Sequence, residues 1–237
     1  SDVRSRAAAA STPRPFAAAL RAAKARGRAV VAEVKRSSPS RGAIAPDLNP
    51  GRIAAAYERG GAACISVLTD RANFGGSLED LASARSACAL PVLRKDFLVT
   101  PYQIYEARAF GADAVLLIAA ALKPPALSEL RALARELHMD VLLEVHAEEE
   151  LDAARAAEPD LLGINARNLK TLVVRPETFA NLVPLARGIA PLVAESGVRT
   201  AADAQRYVEL GADALLVGEA LSGASDPESA VRTLVRG

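Results

Sequence analysis

The chain of 237 residues has no tryptophan, one methionine, two cysteines and two histidines. Each shortage closes off a class of protein. Cys64 and Cys88 cannot build a disulfide framework and point to a reducing cytoplasm. Cys64 falls inside an apolar run and reads as a small core residue. His138 and His146 are too few for a histidine-rich metal site, so no metal is expected. Lys and Arg total 29 against 28 Asp and Glu, leaving a net charge of +1. With that balance no global field points to nucleic acid or to a membrane surface. No apolar run reaches the roughly 20 residues that a membrane-spanning helix needs. The start, Ser1-Asp2-Val3-Arg4, shows none of the basic-then-apolar pattern of a signal peptide. A cytoplasmic monomer acting on a small molecule is the expectation.

What the chain does have is a regular alternation. Residues 1–28 are rich in Ala and Arg and read as a loose tail, then a short helix, Phe16 to Arg26, closed by a left-handed Gly27. From Ala29 onwards, short β-branched or leucine-rich runs occur at 29–34, 63–68, 91–95, 113–118, 140–145, 160–165, 191–195 and 213–217. Segments of helical spacing lie between them, such as Ile53–Arg59, Tyr102–Phe110, Leu127–Leu137 and Ala147–Ala157. The mean repeat is about 26 residues, a compact βα unit. Gly-Ala-Asp-Ala recurs at Gly111–Ala114 and Gly211–Ala214, each time between a helix and a strand.

Strands apolar on both faces and joined by helices predict a parallel sheet covered by helices. Eight units close into a (β/α)8 barrel, the TIM fold, of ~250 residues. The prediction is a single α/β barrel over 29–237 behind a short N-terminal helical extension, 1–28. An open doubly wound sheet is the alternative. Its Gly-x-Gly-x-x-Gly turn after the first strand is missing, and Glu33-Val-Lys-Arg-Ser-Ser-Pro-Ser40 stands in its place.

In a barrel, functional groups gather where the strands end. That would put Glu33, Lys35, Lys95, Glu144, Asn165, Glu195 and Ser196 around one mouth. Singly, a strand-end Lys or Glu is most often a solvated loop residue. Several charges interrupting apolar strands at the same end are harder to dismiss, because an unpaired buried charge is costly. Two lysines beside two glutamates can divide acid from base, or a lysine can form a Schiff base with a carbonyl. Both uses stay open at this point. Ala194-Glu-Ser-Gly197 and Leu216-Val-Gly-Glu-Ala220, after the seventh and eighth strands, suit a phosphate held by backbone N–H groups. Phe74 and Phe97, just past the second and third strands, suggest an apolar wall for a ring. His146 reads as a helix cap or as a group orienting Glu144, and His138 as structural.

The motifs together resemble the indole-3-glycerol phosphate synthase family. The resemblance rests on Ala32-Glu-Val-Lys-Arg-Ser-Ser-Pro-Ser40, Ser66-Val-Leu-Thr-Asp70 with Phe74-Gly-Gly-Ser77, and Leu93-Arg-Lys-Asp-Phe97. It continues through Leu143-Glu-Val-His146, Gly163-Ile-Asn-Ala-Arg-Asn-Leu169, Val193-Ala-Glu-Ser-Gly197 and Val217-Gly218. It implies closure of the indole ring of 1-(2-carboxyphenylamino)-1-deoxyribulose 5-phosphate, with loss of carbon dioxide and water and without a cofactor. By resemblance, Lys95 is the general acid, assisted by Lys35, with Glu144 and Glu33 as the acid–base pair. Asn165 would orient Glu33 and the substrate hydroxyls. Ser38, Ser196, Gly197 and Gly218 match phosphate-side positions, and Glu195 a substrate contact. Phe74, Phe97, Leu116 and Arg167 match the pocket for the anthranilate ring and carboxylate. Many members carry serine where this chain has Glu219, whose N–H could meet phosphate only with its carboxylate turned away. The family also carries a longer helical segment ahead of the first strand, which helps cover the mouth. Here 28 residues precede that strand, so reduced cover is expected.

Rivals of other kinds are a phosphosugar isomerase or aldolase, and a binding or scaffold barrel that keeps the phosphate cup without turnover.

Overall fold

The computed structural model describes residues 2–236. Ser1, at the head of the expected tail, and Gly237, the last residue of the expected barrel, lie outside the described residues. The eight predicted strands form, each within a residue of its expected bounds: β1 Val30–Val34, β2 Cys64–Leu68, β3 Val92–Lys95, β4 Ala114–Ile118, β5 Asp140–Val145, β6 Leu161–Asn165, β7 Leu192–Glu195 and β8 Ala214–Val217. All pair in parallel in chain order. β8 closes on β1 through Val30↔Leu215, Val31↔Leu216 and Ala32↔Val217, completing a (β/α)8 barrel.

Alternate residues of each strand face the barrel axis and the helices, because strand side chains have a period of two. Val31, Cys64, Leu93, Ala114, Leu142, Leu161, Val193 and Ala214 pack together in the lower interior. The residues between them, such as Val30, Ile65, Val92, Leu143 and Ile164, pack outward against the helix layer. Among the described residues a main helix follows each strand and supplies that layer, from Pro50–Gly60 to Pro227–Arg236, with short extra helices at Arg71–Phe74 and Glu219–Ser222. The segment expected as a helix from Ala147 starts as a 3-10 turn, Glu148–Glu150, with the α-helix confined to Leu151–Ala157. None of the helices among the described residues is long and apolar enough to cross a membrane.

The Gly-Ala-Asp-Ala repeat has a physical reason. Gly111 and Gly211 end their helices at φ +88° and +111°, where a side chain would be strained. The aspartate two residues on ties down the start of the preceding strand. Asp113 accepts from Val92 N at 2.7 Å, and Asp213 from Leu192 N at 2.6 Å.

The N-terminal region departs from expectation. The stretch read as loose tail contains helix α1, Val3–Ala9. It is held on the helix Pro101–Ala109 and its end, with the Arg4 guanidinium over Tyr105 and that of Arg6 over Phe110. Helix α2 runs Phe16–Lys24, and Gly27, expected in the left-handed region, has no positive φ; the helix ends instead at Ala25 in an ordinary right-handed geometry. Phe16, Ala17 and Leu20 of α2 plug the lower end of the barrel interior. The plug is pinned to residues at strand starts: Arg14 N donates to Asp113 at 2.7 Å, Ala17 N to Asp140 at 2.8 Å, and Lys24 pairs with Asp213. This segment therefore closes the end of the barrel opposite the expected mouth. A further feature absent from the sequence reading is a two-residue antiparallel ladder after β1, Ser37–Ser38 with Gly42–Ala43.

Candidate active site

Glu33, Lys95, Glu144, Asn165 and Glu195 sit near the C-terminal ends of β1, β3, β5, β6 and β7, and the closed barrel brings them to one ring. Lys95 Nζ lies 2.8 Å from Glu195 Oε2, 3.7 Å from Glu33 Oε2 and 3.8 Å from Glu144 Oε2. Lys35 Nζ donates to Glu33 Oε1 at 2.6 Å, so the Glu33 carboxylate bridges the two lysines. Glu33, Lys35, Glu144 and Glu195 are all buried. Charges at that depth persist only where they neutralise one another.

Two glycines make room for this ring. A Cβ on Gly218 would stand 2.1 Å from Glu33 Oε1 and 2.8 Å from Lys35 Nζ. A Cβ on Gly163 would stand 2.1 Å from Glu195 Oε1. Close approach of side chains, not a turn, is what requires glycine at these two places.

Burial opposes ionisation throughout the ring, and the neighbours decide which groups stay charged. Glu33 is held below its ordinary range because Lys35 and Lys95 outweigh its burial. Lys95 is held charged well above the ordinary range, since three carboxylates overcome the cost of burying its ammonium. Glu144 is pulled down, against its burial, by His146 and Lys95. Glu195 is pushed up by burial and by the Glu144 carboxylate, more than Lys95 lowers it. Among the described residues its Oε1 receives no N–H or O–H donor. The opposite directions of the two shifts favour a proton on Glu195 and the ionised form of Glu144, one acid and one base in the same ring.

Above the ring opens a cavity. Glu33, Lys35, Lys95, Glu144 and Asn165 line it, as do Phe74, Phe97 and Leu116. Ser196, Gly197, Gly218, Glu219 and Arg167 enter from the loops after β6, β7 and β8. Two of the expected residues stand back from it. Glu195 is 1% exposed and meets the cavity through Lys95, while Ser38 is buried with its Oγ 3.3 Å from that of Ser40. Asn165 Oδ1 accepts from Ser196 Oγ at 2.8 Å and from Arg167 N at 2.9 Å, which ties the β6 loop to the β7 loop. Ser196 itself sits at φ +64°, a strained position for a non-glycine, and that bond helps to hold it there. The Glu219 carboxylate pairs with the Arg167 guanidinium at the cavity edge.

Sequence reasoning missed part of the wall. Leu68, Ile118, Val198 and Leu216 also line the cavity. Counting by twos from Cys64, Ala114 and Ala214 would have found Leu68, Ile118 and Leu216. It missed, too, the brace behind Lys95. Arg94 faces outward yet is 4% exposed, and donates to Asp96 and Glu106 at 3.0 Å each. Thr69 Oγ1 adds a 2.6 Å bond to Asp96, fixing the turn that carries Lys95 and Phe97.

Acid and base groups gathered in a buried cup at the C-terminal mouth of a closed parallel barrel define a (β/α)8-barrel enzyme. Solved structures agree on the fold: a thiamine phosphate pyrophosphorylase from Pyrococcus furiosus superposes with a TM-score of 0.66 at 20% identity, covering 89% of this chain and 95% of its own. A 3-hexulose-6-phosphate synthase gives 0.68 at 15% identity, covering 87% and 97%. The sequence model of the family described as indole-3-glycerol phosphate synthase matches residues 1–234. The synthase of that name from Mycolicibacterium gilvum (strain PYR-GCK) is 53% identical over 234 residues, 99% of this chain and 85% of its own length. That of Rhodococcus jostii (strain RHA1) is 53% identical over 209 residues, 88% and 78% of the two chains. The chain belongs to the indole-3-glycerol phosphate synthase family, whose members are carboxy-lyases.

Proposed function

We propose that the chain closes the indole ring of 1-(2-carboxyphenylamino)-1-deoxyribulose 5-phosphate through lysine and glutamate acid–base chemistry. The observation that carries this reading is Lys95, an ammonium held charged among three carboxylates at the base of the cavity. A charged ammonium can hydrogen-bond the substrate ketone and protonate its oxygen as the aromatic carbon attacks. Lys35, joined to the same carboxylate, assists. Loss of carbon dioxide then restores the aromatic ring, and loss of the new hydroxyl as water completes the indole. Glu144, held ionised, accepts a proton in these later steps, with Glu33 as its partner. Decarboxylation and dehydration are balanced without any outside oxidant or reductant.

In this reading the substrate ring lies among Phe74, Phe97 and Leu116, with its carboxylate toward Arg167. The phosphate lies on the Ser196, Gly197 and Gly218 side, with Glu219 contributing its backbone N–H. A Schiff-base aldolase is the weaker reading, because an attacking amine must be neutral and Lys95 is held protonated. The chain has no tryptophan, so its own emission is low and product is read directly as growing indole fluorescence. Signal that appears with the carboxyphenylamino substrate and disappears in Lys95→Ala supports the proposal. Trapping of the substrate on Lys95 or Lys35 by borohydride would favour the aldolase instead.

A further inference from the structure

One group beside the ring has no part in the scheme above. His146 follows the end of β5 by one residue and does not line the cavity, and its side chain is only 13% exposed. Its Nε2 lies 3.1 Å from Glu144 Oε1. The other oxygen of that carboxylate, Oε2, faces Lys95 at 3.8 Å. Glu144 is thus gripped on one side by a cation inside the cavity and on the other by a cation behind it.

The histidine is braced in turn. Its Nδ1 lies 3.7 Å from Glu150 Oε2, and the same oxygen accepts from His146 N at 2.7 Å. That bond folds the chain after β5 back on itself, so that the ring is wedged between two carboxylates. Glu144 and Glu150 are the titratable groups facing it, the first from β5 and the second from the 3-10 turn that follows.

We propose that His146, braced by Glu150, is a positioning residue that holds Glu144 ionised and aimed as the proton acceptor of the reaction. The proposal rests on the reading of Glu144 given above. Two further observations support it. Burial works against a charged ring, but Glu144 and Glu150 outweigh it and push the imidazole up to about 9, although both ring nitrogens face these carboxylates by proximity and not through an aligned hydrogen bond. Glu195, the buried carboxyl that competes with Glu144 for a proton, is paired with Lys95, and among the described residues no ion pair joins it to His146. The histidine therefore distinguishes two otherwise similar carboxyls. Without it, a proton has less reason to prefer Glu195 over Glu144, and Glu144 loses its advantage as a base.

The test is the pH profile of kcat/KM, with kcat and KM at neutral pH, in His146→Gln, Glu150→Gln and Glu144→Gln. In His146→Gln the acid limb is expected to move up by about one pH unit, and kcat to fall on the order of tenfold, with KM nearly unchanged. Glu150→Gln should move the limb the same way by less. An acid limb unmoved in both variants, while Glu144→Gln loses turnover, overturns the positioning role alone. Turnover retained in Glu144→Gln overturns the assignment of Glu144, and the inference with it. If His146→Gln does not fold, Glu150→Gln, changed outside the cavity, decides between the two.

Discussion

Replacing Lys95 with methionine keeps the side chain's bulk and removes only its charge. Lys95 sits 2.8 Å, 3.7 Å and 3.8 Å from the carboxylates of Glu195, Glu33 and Glu144. At an effective dielectric near 20, each of the longer contacts is a gross attraction of about 4 kcal/mol, much of it offset by the cost of burying the ammonium. Removing one partner of such a buried set typically costs about 3–5 kcal/mol, because the charges left behind have no counterion. The loss must depend on pH. In the native protein Glu33 and Glu144 ionise below their ordinary range, so their contribution is present above the unfolded carboxylate value, about 4.3, and is lost as pH falls through the folded values. In Lys95→Met each carboxyl keeps one cation, Lys35 for Glu33 and His146 for Glu144, but takes up a proton more readily than in the native protein. The variant is then penalised at neutral pH and relieved in acid. Lys95 adds no slope of its own between pH 5 and 8, because its native value lies far above that window. Urea unfolding at pH 5 and pH 8 should show a gap between the two proteins that is wider at pH 8. Turnover at pH 7.5, read by indole fluorescence, should fall on the order of 10² or more. An equal gap at both pH values would refute the idea that Lys95 helps to keep these carboxylates charged.

Three other outcomes follow from the same geometry. Gly218→Ala should drive the Glu33 carboxylate from a point 2.1 Å from the new methyl and cost roughly 10² in kcat, with the circular dichroism spectrum retained. Glu219→Ser should free Arg167 from its internal countercharge and tighten inhibition by inorganic phosphate roughly tenfold, read as Ki in steady-state assays. Phe16→Ala, at a fully buried site in the lower plug, should cost about 3–5 kcal/mol in urea unfolding and leave KM unchanged.

Much of this was legible in the chain because charge is rare inside a buried strand. Glu33, Lys95, Glu144 and Glu195 each break an apolar run, and in a closed barrel such breaks can only converge. The periodicity of helix and strand fixed the eightfold count for the same reason. What stayed hidden depends on partners far off in sequence. The alanines of α1 look like tail until Tyr105 and Phe110 are placed under Arg4 and Arg6. Gly163 reads as an unremarkable strand residue, and its need for a bare backbone comes from Glu195, on the neighbouring strand. The Glu219 carboxylate could be oriented only once Arg167 stood opposite. The spacing of Glu144, His146 and Glu150 was visible throughout, but not that all three meet.

The lower plug also constrains how the molecule can be made. Helix α2 leaves the ribosome early, yet Asp140, which accepts from its Ala17, comes 123 residues later, and Asp213, the partner of Lys24, comes 189 residues later. At translation rates of about 5–20 residues per second, that last partner follows some 10 to 40 s behind. Throughout that interval Phe16 and Leu20 have no interior to enter, since β8 has not yet closed the wall around them. The nascent chain must carry a sticky helix followed by an unzipped sheet. Final assembly is then a late event, in which a helix synthesised ahead of every barrel strand is among the last elements to be seated.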